Sequence, residues 1–180
     1  MRIPAEYRDH VDSDLAWNPP DAWDTLWNWA TQEGGGGICL LLGNFGTGKS
    51  QMTWNAMWRL WKSGVLTSRW LWKEIVDRKN AYVADRELDD PMPELYRKAF
   101  LCIDEAHIGG RDARGELTVA STELLNTIIG KRHEERRATL LVANLTEKDM
   151  RVWIGQRLWD RVMDTRGAII ELHGDSRRGQ

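Results

Sequence analysis

The sequence predicts an α/β fold in which a five-stranded parallel sheet is sandwiched between helices. Three observations predict it. Short apolar runs alternate with helical patterns along the chain, as βαβ units require. The first run, Ile38-Cys39-Leu40-Leu41-Leu42, leads directly into a glycine-rich turn from Gly43 to Ser50. A later run, Phe100-Leu101-Cys102-Ile103, ends on two acids, Asp104 and Glu105.

Each element follows in order. Residues 1–18 read as an extended, acidic lead-in closed by Pro19-Pro20, after which Asp21 offers an N-cap for a helix over 22–31. The glycine run at 34–37 ends that helix, and 38–42 reads as a buried parallel strand. A helix is expected over 49–61, stopped by Gly64. A strand over 67–72 and a helix over 73–86 come next, then a proline-bearing loop at 89–93 and a strand at 100–104. Residues 108–117, rich in glycine and charge, form a loop before a long helix over 118–136. The chain finishes with a strand at 139–142, short helices over 147–153 and 156–163, and a strand at 168–172. Trp23, Trp27 and Ala30, like Trp54, Trp58 and Trp61, repeat at i, i+4, i+7, so both stripes are expected to face the core.

Composition bounds the function classes. A chain of 180 residues fits one ordinary domain, and 42% hydrophobic residues can bury a sizeable core. No apolar run approaches the roughly 18 residues needed to cross a bilayer. The acidic start, MRIPAEYRDHVDSD, does not read as a secretory signal, so a cytoplasmic location is expected. Cys39 and Cys102 sit inside apolar runs without metal-ligand spacing, as inert buried thiols do. The net charge is −2 but uneven: residues 1–33 hold two arginines against seven acids, whereas residues from Lys131 onward hold eleven cations against eight acids. That asymmetry permits a local nucleic-acid contact without requiring one.

The chemistry concentrates in a few places. Gly43-Asn44-Phe45-Gly46-Thr47-Gly48-Lys49-Ser50, followed by Gln51, fits G-x-x-x-x-G-K-[ST] between a strand and a helix. Its glycines let backbone N–H groups curl around phosphate oxygens, and the helix behind it aims its positive end at the same anion. Lys49 is expected to reach the β- and γ-phosphates of ATP, and the Ser50 hydroxyl to ligate Mg²⁺. Asp104, delivered by an apolar strand, suits a second Mg²⁺ contact, and Glu105 suits the general base that activates water. The strand 139–142 ends at Asn144, an amide able to orient that water, although an asparagine capping a turn is also common there. Arg157 and Arg161 lie four apart on one helical face. They are either paired with Asp160 and Asp164 or available as an arginine finger for a neighbouring subunit's ATP. Trp70, Trp72 and Tyr82, with Lys73, Arg78 and Lys79, supply the aromatic and basic mix that single-stranded DNA binding uses, although alternating tryptophans in a strand are more often core. The tetrapeptide Asp104-Glu105-Ala106-His107 also spells a helicase label, but such helicases need two lobes and this chain has room for one.

Taken in order, LLLGNFGTGKS, FLCIDEAH, IIGKRHEERRATLLVANLT, GQRLWDRVM and HGDSRR resemble the DnaC/IstB branch of the AAA+ ATPases, over about 40–178. The resemblance implies a P-loop, AAA+/RecA-like sheet with strand order 5-1-4-3-2. It implies a sensor-1 role for Asn144, an arginine finger at Arg161, with Arg157 as the alternative, and a sensor-2 role for Arg178. It divides the chain into an acidic extension and helix (1–33), an ATPase core (34–173) and a short tail (174–180) without a helical lid. The function it implies is loading or remodelling of a replicative DNA helicase on single-stranded DNA, by a homo-oligomer with shared ATP sites. A compact, tryptophan-rich loader would suit a phage replication module. Two other functions stay open: an IstB-like helper of a transposase, and a P-loop kinase acting on a small molecule.

Overall fold

Six consecutive residues of Ile38–Gly43 (β1) are buried, which places this strand at the centre of a sheet covered on both faces. The computed structural model describes residues 3–8, 19–33, 36–110, 118–164 and 166–174. The elements are α1 (Ala5–Arg8), α2 (Pro20–Thr31), β1, α3 (Lys49–Lys62), β2 (Thr67–Leu71), α4 (Trp72–Ala84) and α5 (Met92–Arg97), followed by β3 (Phe100–Asp104), α6 (Val119–Glu134), β4 (Ala138–Val142), α7 (Glu147–Val162) and β5 (Ala168–Leu172). All strand pairings are parallel and the order is β2-β3-β4-β1-β5. This is the expected 5-1-4-3-2 arrangement.

Alternation along the strands divides the core in two. Leu40, Leu42, Leu101, Ile103 and Leu141 face α4, α6 and α7, where Ile75, Ile128 and Ile154 meet them. Cys39, Leu41, Cys102, Leu140 and Val142 face the other way, onto Trp23, Leu26 and Trp29 of α2 and Met52, Met57 and Leu60 of α3. Both cysteines are free and buried, and burial pushes the Cys39 thiol far up. Among the described residues no helix is long and apolar enough to cross a membrane.

Several elements depart from expectation for identifiable reasons. Asp21 is not the N-cap of α2: Pro19 holds that position and Pro20 begins the helix, because proline's fixed φ suits the first helical turn. The lead-in is not wholly extended, since Ala5–Arg8 forms one turn. The proline-bearing loop hides α5, whose Pro91 and Pro93 fall at its N-cap and first turn, where no N–H is needed. The two helices predicted after β4, by contrast, are both present within α7, separated at Gly155, whose φ of 73° is not helical. The second tryptophan stripe is only partly core. Helix α3 turns Met52, Ala56 and Leu60 to the sheet, Trp54 is buried beneath Ile3 and Tyr7, and Trp61 remains 43% exposed.

Candidate functional site

The end of β1 is built around glycine. Gly43 has φ 130°, and a Cβ there would lie 2.2 Å from the Leu172 carbonyl oxygen of β5. Only a residue without a side chain lets the two strands stay this close. Gly46 and Gly48 also have positive φ, 83° and 96°, so the backbone curls before α3 starts at Lys49. Lys49 is 5% exposed. Its Nζ donates to the carbonyl oxygens of Gly43 at 2.8 Å and Asn44 at 2.6 Å. Burial lowers its pKa to about 8, against an opposing pull from Asp104. The ammonium is thus docked on its own loop, poorly hydrated and facing a cavity.

Two neighbouring strands contribute the rest. Asp104 closes β3 and is almost fully buried. Its Oδ1 accepts the Glu105 backbone N–H at 2.7 Å, and its Oδ2 accepts Nε and Nη2 of Arg69 at 3.0 and 2.6 Å. Glu105 has φ 51°, a left-handed conformation that costs a non-glycine residue about 1–3 kcal/mol and tends to occur at functional sites. Beyond β4, the Ala143 N–H donates to the Leu41 carbonyl at 3.1 Å, and the Ala106 N–H to the Val142 carbonyl at 3.0 Å. The Asn144 N–H donates to His107 Nδ1 at 3.3 Å. These ties fix the ends of β3, β4 and β1 relative to one another.

A cavity of about 330 Å³ lies across those three ends, at the lower end of the roughly 300–1,000 Å³ usual for small-ligand sites. Phe45, Gly46, Gly48, Lys49, Ser50, Gln51, Asp104, Glu105 and Asn144 line it. Gly43, Asn44 and Thr47 form the loop behind that wall, with the Thr47 hydroxyl donating to the Asn44 carbonyl at 2.9 Å. Tyr7, Arg69 and His107 also line the cavity and were missed in the sequence. For His107 a signal existed, its place three residues after Asp104. For Arg69 and Tyr7 none did.

The remaining expected residues lie elsewhere. Arg157 and Arg161 line a separate groove with Glu123 and Glu134 of α6. Arg178 lies outside the described residues. Trp72 is fully buried and cannot stack on a base, so it leaves the expected DNA-contacting set. Trp70 is 8% exposed and lies under the Arg78 guanidinium, 4.7 Å away. Lys73 and Lys79 are paired with Asp77 and Asp90.

The chemistry of this site suits a nucleotide and a hard cation. The positive-φ glycines form a concave backbone at a helix N-terminus, as anion sites do, with a buried ammonium at its edge. Ser50 and Asp104 offer oxygen ligands only, the set Mg²⁺ prefers. Among the described residues no group of three His, Cys, Asp or Glu side chains could hold a metal ion. A divalent cation would therefore depend on ligand phosphates, as Mg²⁺ usually does.

The strand order is the P-loop, AAA+ arrangement, and the fold is DnaC-like. No protein-family model and no curated protein matches the sequence. Among solved structures, a DnaC helicase loader superposes with TM-score 0.75 at 14% identity, covering 94% of this chain and 100% of that one. A putative primosome component from Streptococcus pyogenes serotype M3 gives 0.67 at 22% identity over 99% and 93%. The replication initiator DnaA, bound to AMPPCP and single-stranded DNA, gives 0.71 at 12% identity, covering 97% of this chain but 52% of DnaA. The chain thus spans about half the length of that initiator.

Proposed function

We propose that this chain binds and hydrolyses ATP and uses the cycle to load or remodel a replicative DNA helicase on single-stranded DNA. One observation carries the reading: Lys49, Ser50, Asp104, Glu105 and Asn144, from three adjacent strand ends, share one cavity. In it, the loop N–H groups would hold the phosphates, and Lys49 would exchange the Gly43 and Asn44 carbonyls for β- and γ-phosphate oxygens. Ser50 and Asp104 would hold Mg²⁺, which supplies charge neutralisation on the phosphates. Glu105 would take the proton from the attacking water, and Asn144 would orient that water.

Arg161 and Arg157 face α6 rather than their own cavity. A finger role therefore requires a second copy of the chain, and a homo-oligomer with shared sites is part of the same proposal. Arg178 as sensor 2 belongs to the same proposal, with 34–173 as the ATPase core. With Trp72 buried, DNA contact would fall to Lys73, Arg78 and Lys79. Similarity to a helicase loader and a primosome component favours a helicase over a transposase as partner. The test is ATP turnover with and without single-stranded DNA and the host's replicative helicase, beside Glu105→Gln. The proposal expects stimulated turnover, co-purification with the helicase, and a variant that binds ATP without hydrolysing it. Full turnover by Glu105→Gln would refute the mechanism, and failure to co-purify would refute the partner.

A further inference from the structure

Asp104 already has a cation on it. Both Nε and Nη2 of Arg69 donate to the single oxygen Oδ2, at 3.0 and 2.6 Å, while Oδ1 accepts the Glu105 N–H. The geometry is supported from the far side as well. The Arg69 guanidinium lies 5.4 Å from the centroid of Trp54, and Trp54 packs against Tyr7 at 6.1 Å. Trp54 is 6% exposed, so the arginine rests on a fixed platform. Arg69 reaches Asp104 from β2, whose register pairs Arg69 with Cys102 and Leu71 with Asp104. Arg69 itself lines the nucleotide cavity.

We propose that Arg69 stands in for the divalent cation on Asp104 when the cavity holds no nucleotide, and that Mg²⁺ arriving with nucleotide must displace it. The inference rests on the proposed function, since it presumes that this cavity takes a Mg²⁺–nucleotide. Arg69 and Mg²⁺ compete for one electron-pair donor, Oδ2 of Asp104. A nearly buried carboxylate without a counter-charge is costly, so a cation is needed in the nucleotide-free protein. A guanidinium bonded through two N–H groups to Oδ2 blocks the oxygen that a metal, or a metal-bound water, would use. Arg69 therefore sets the concentration of Mg²⁺ at which the site closes on its ligand. A merely structural ion pair between β2 and β3 predicts the opposite sign: its loss would loosen the site and weaken Mg²⁺-dependent binding.

The experiment titrates MgCl₂ at fixed chain and fluorescent, non-hydrolysable ATP analogue, reading nucleotide anisotropy. Wild type, Arg69→Ala, Arg69→Gln and Arg69→Lys are compared, with thermal melts by circular dichroism to show that each is folded. The half-saturating Mg²⁺ concentration is expected to fall at least about fivefold in Arg69→Ala and Arg69→Gln, the lower range of a coupling between two bound groups. Arg69→Lys, which keeps the charge, is expected to stay near wild type. An unchanged or raised half-saturating Mg²⁺ concentration in folded Arg69→Gln overturns the inference while leaving nucleotide binding intact. Wild type that binds no nucleotide, with Mg²⁺ or with EDTA, overturns the proposed function and this inference together.

Discussion

Raising the pH from 7 to 9 should weaken nucleotide binding by about tenfold through Lys49 alone. In the nucleotide-free protein its pKa is lowered to about 8, because burial disfavours the ammonium more than Asp104 favours it. A bound triphosphate supplies the missing counter-charge and restores a pKa at or above the ordinary 10.5. The protonated fraction of the free form is then about nine-tenths at pH 7 and about one-tenth at pH 9, and each tenfold loss costs about 1.4 kcal/mol of binding. Proton uptake per bound nucleotide should rise from about 0.1 at pH 7 to about 0.9 at pH 9. The stability of the nucleotide-free protein should move the other way. Between pH 8 and 10.5 the unfolded chain carries a proton that folded Lys49 lacks, so the unfolded state binds more protons and stability increases with pH across that window. Calorimetry with a non-hydrolysable ATP analogue, in two buffers of different ionisation enthalpy, reads affinity and proton uptake together. Constant affinity from pH 7 to 9.5 with no proton uptake would show that Lys49 does not meet the phosphates.

Arg132 is fully buried and donates to Thr139 Oγ1 and to the carbonyls of Leu95, Lys98 and Ala138 at 2.6 to 2.9 Å. Arg132→Met should therefore cost about 3–5 kcal/mol in urea unfolding, since buried acceptors lose a charged donor; a cost below about 1 kcal/mol would contradict that account. Gly43→Ala places a Cβ 2.2 Å from the Leu172 carbonyl oxygen and should lower the melting temperature and abolish nucleotide binding, whereas normal binding would mean that β1 and β5 separate freely. Arg161→Ala should bind ATP normally yet turn over at least about a thousandfold more slowly, and mixing it with Glu105→Gln protein should restore some activity through mixed interfaces. Normal turnover by Arg161→Ala alone would transfer the finger to Arg157 or remove it.

The parts of the site that could be read in the sequence share a cause. Local pattern and chemistry coincide where an apolar run must end at a ligand, as at Leu42-Gly43 and at Ile103-Asp104, because a buried parallel strand has few other places to put a glycine turn or an acid. Strand order was not legible in those runs, since βαβ units imply parallel strands without fixing which of them are neighbours; it came from the resemblance to the AAA+ ATPases. What stayed hidden depends on distance. Arg69 is a lone cation in the run TSRWL, and its partner lies 35 residues away. Tyr7 reaches the cavity only because Trp54 gives it a surface. Arg132 sits in the charged run KRHEERR, which reads as a solvated helix face, yet its guanidinium serves the carbonyls of Leu95 in α5 and of Lys98 just after it. Trp72 misled in the other direction: the chain turns from strand to helix at that residue, which swings the indole into the core.

The most direct measurement is a calorimetric titration of the purified, folded chain at pH 7 with AMPPCP and MgCl₂, beside Lys49→Ala. Saturable binding of one nucleotide per chain, lost or reduced at least tenfold in the variant, is the predicted result. No binding by the wild-type chain, or equal binding by both, would contradict a phosphate site at the mouth of β1.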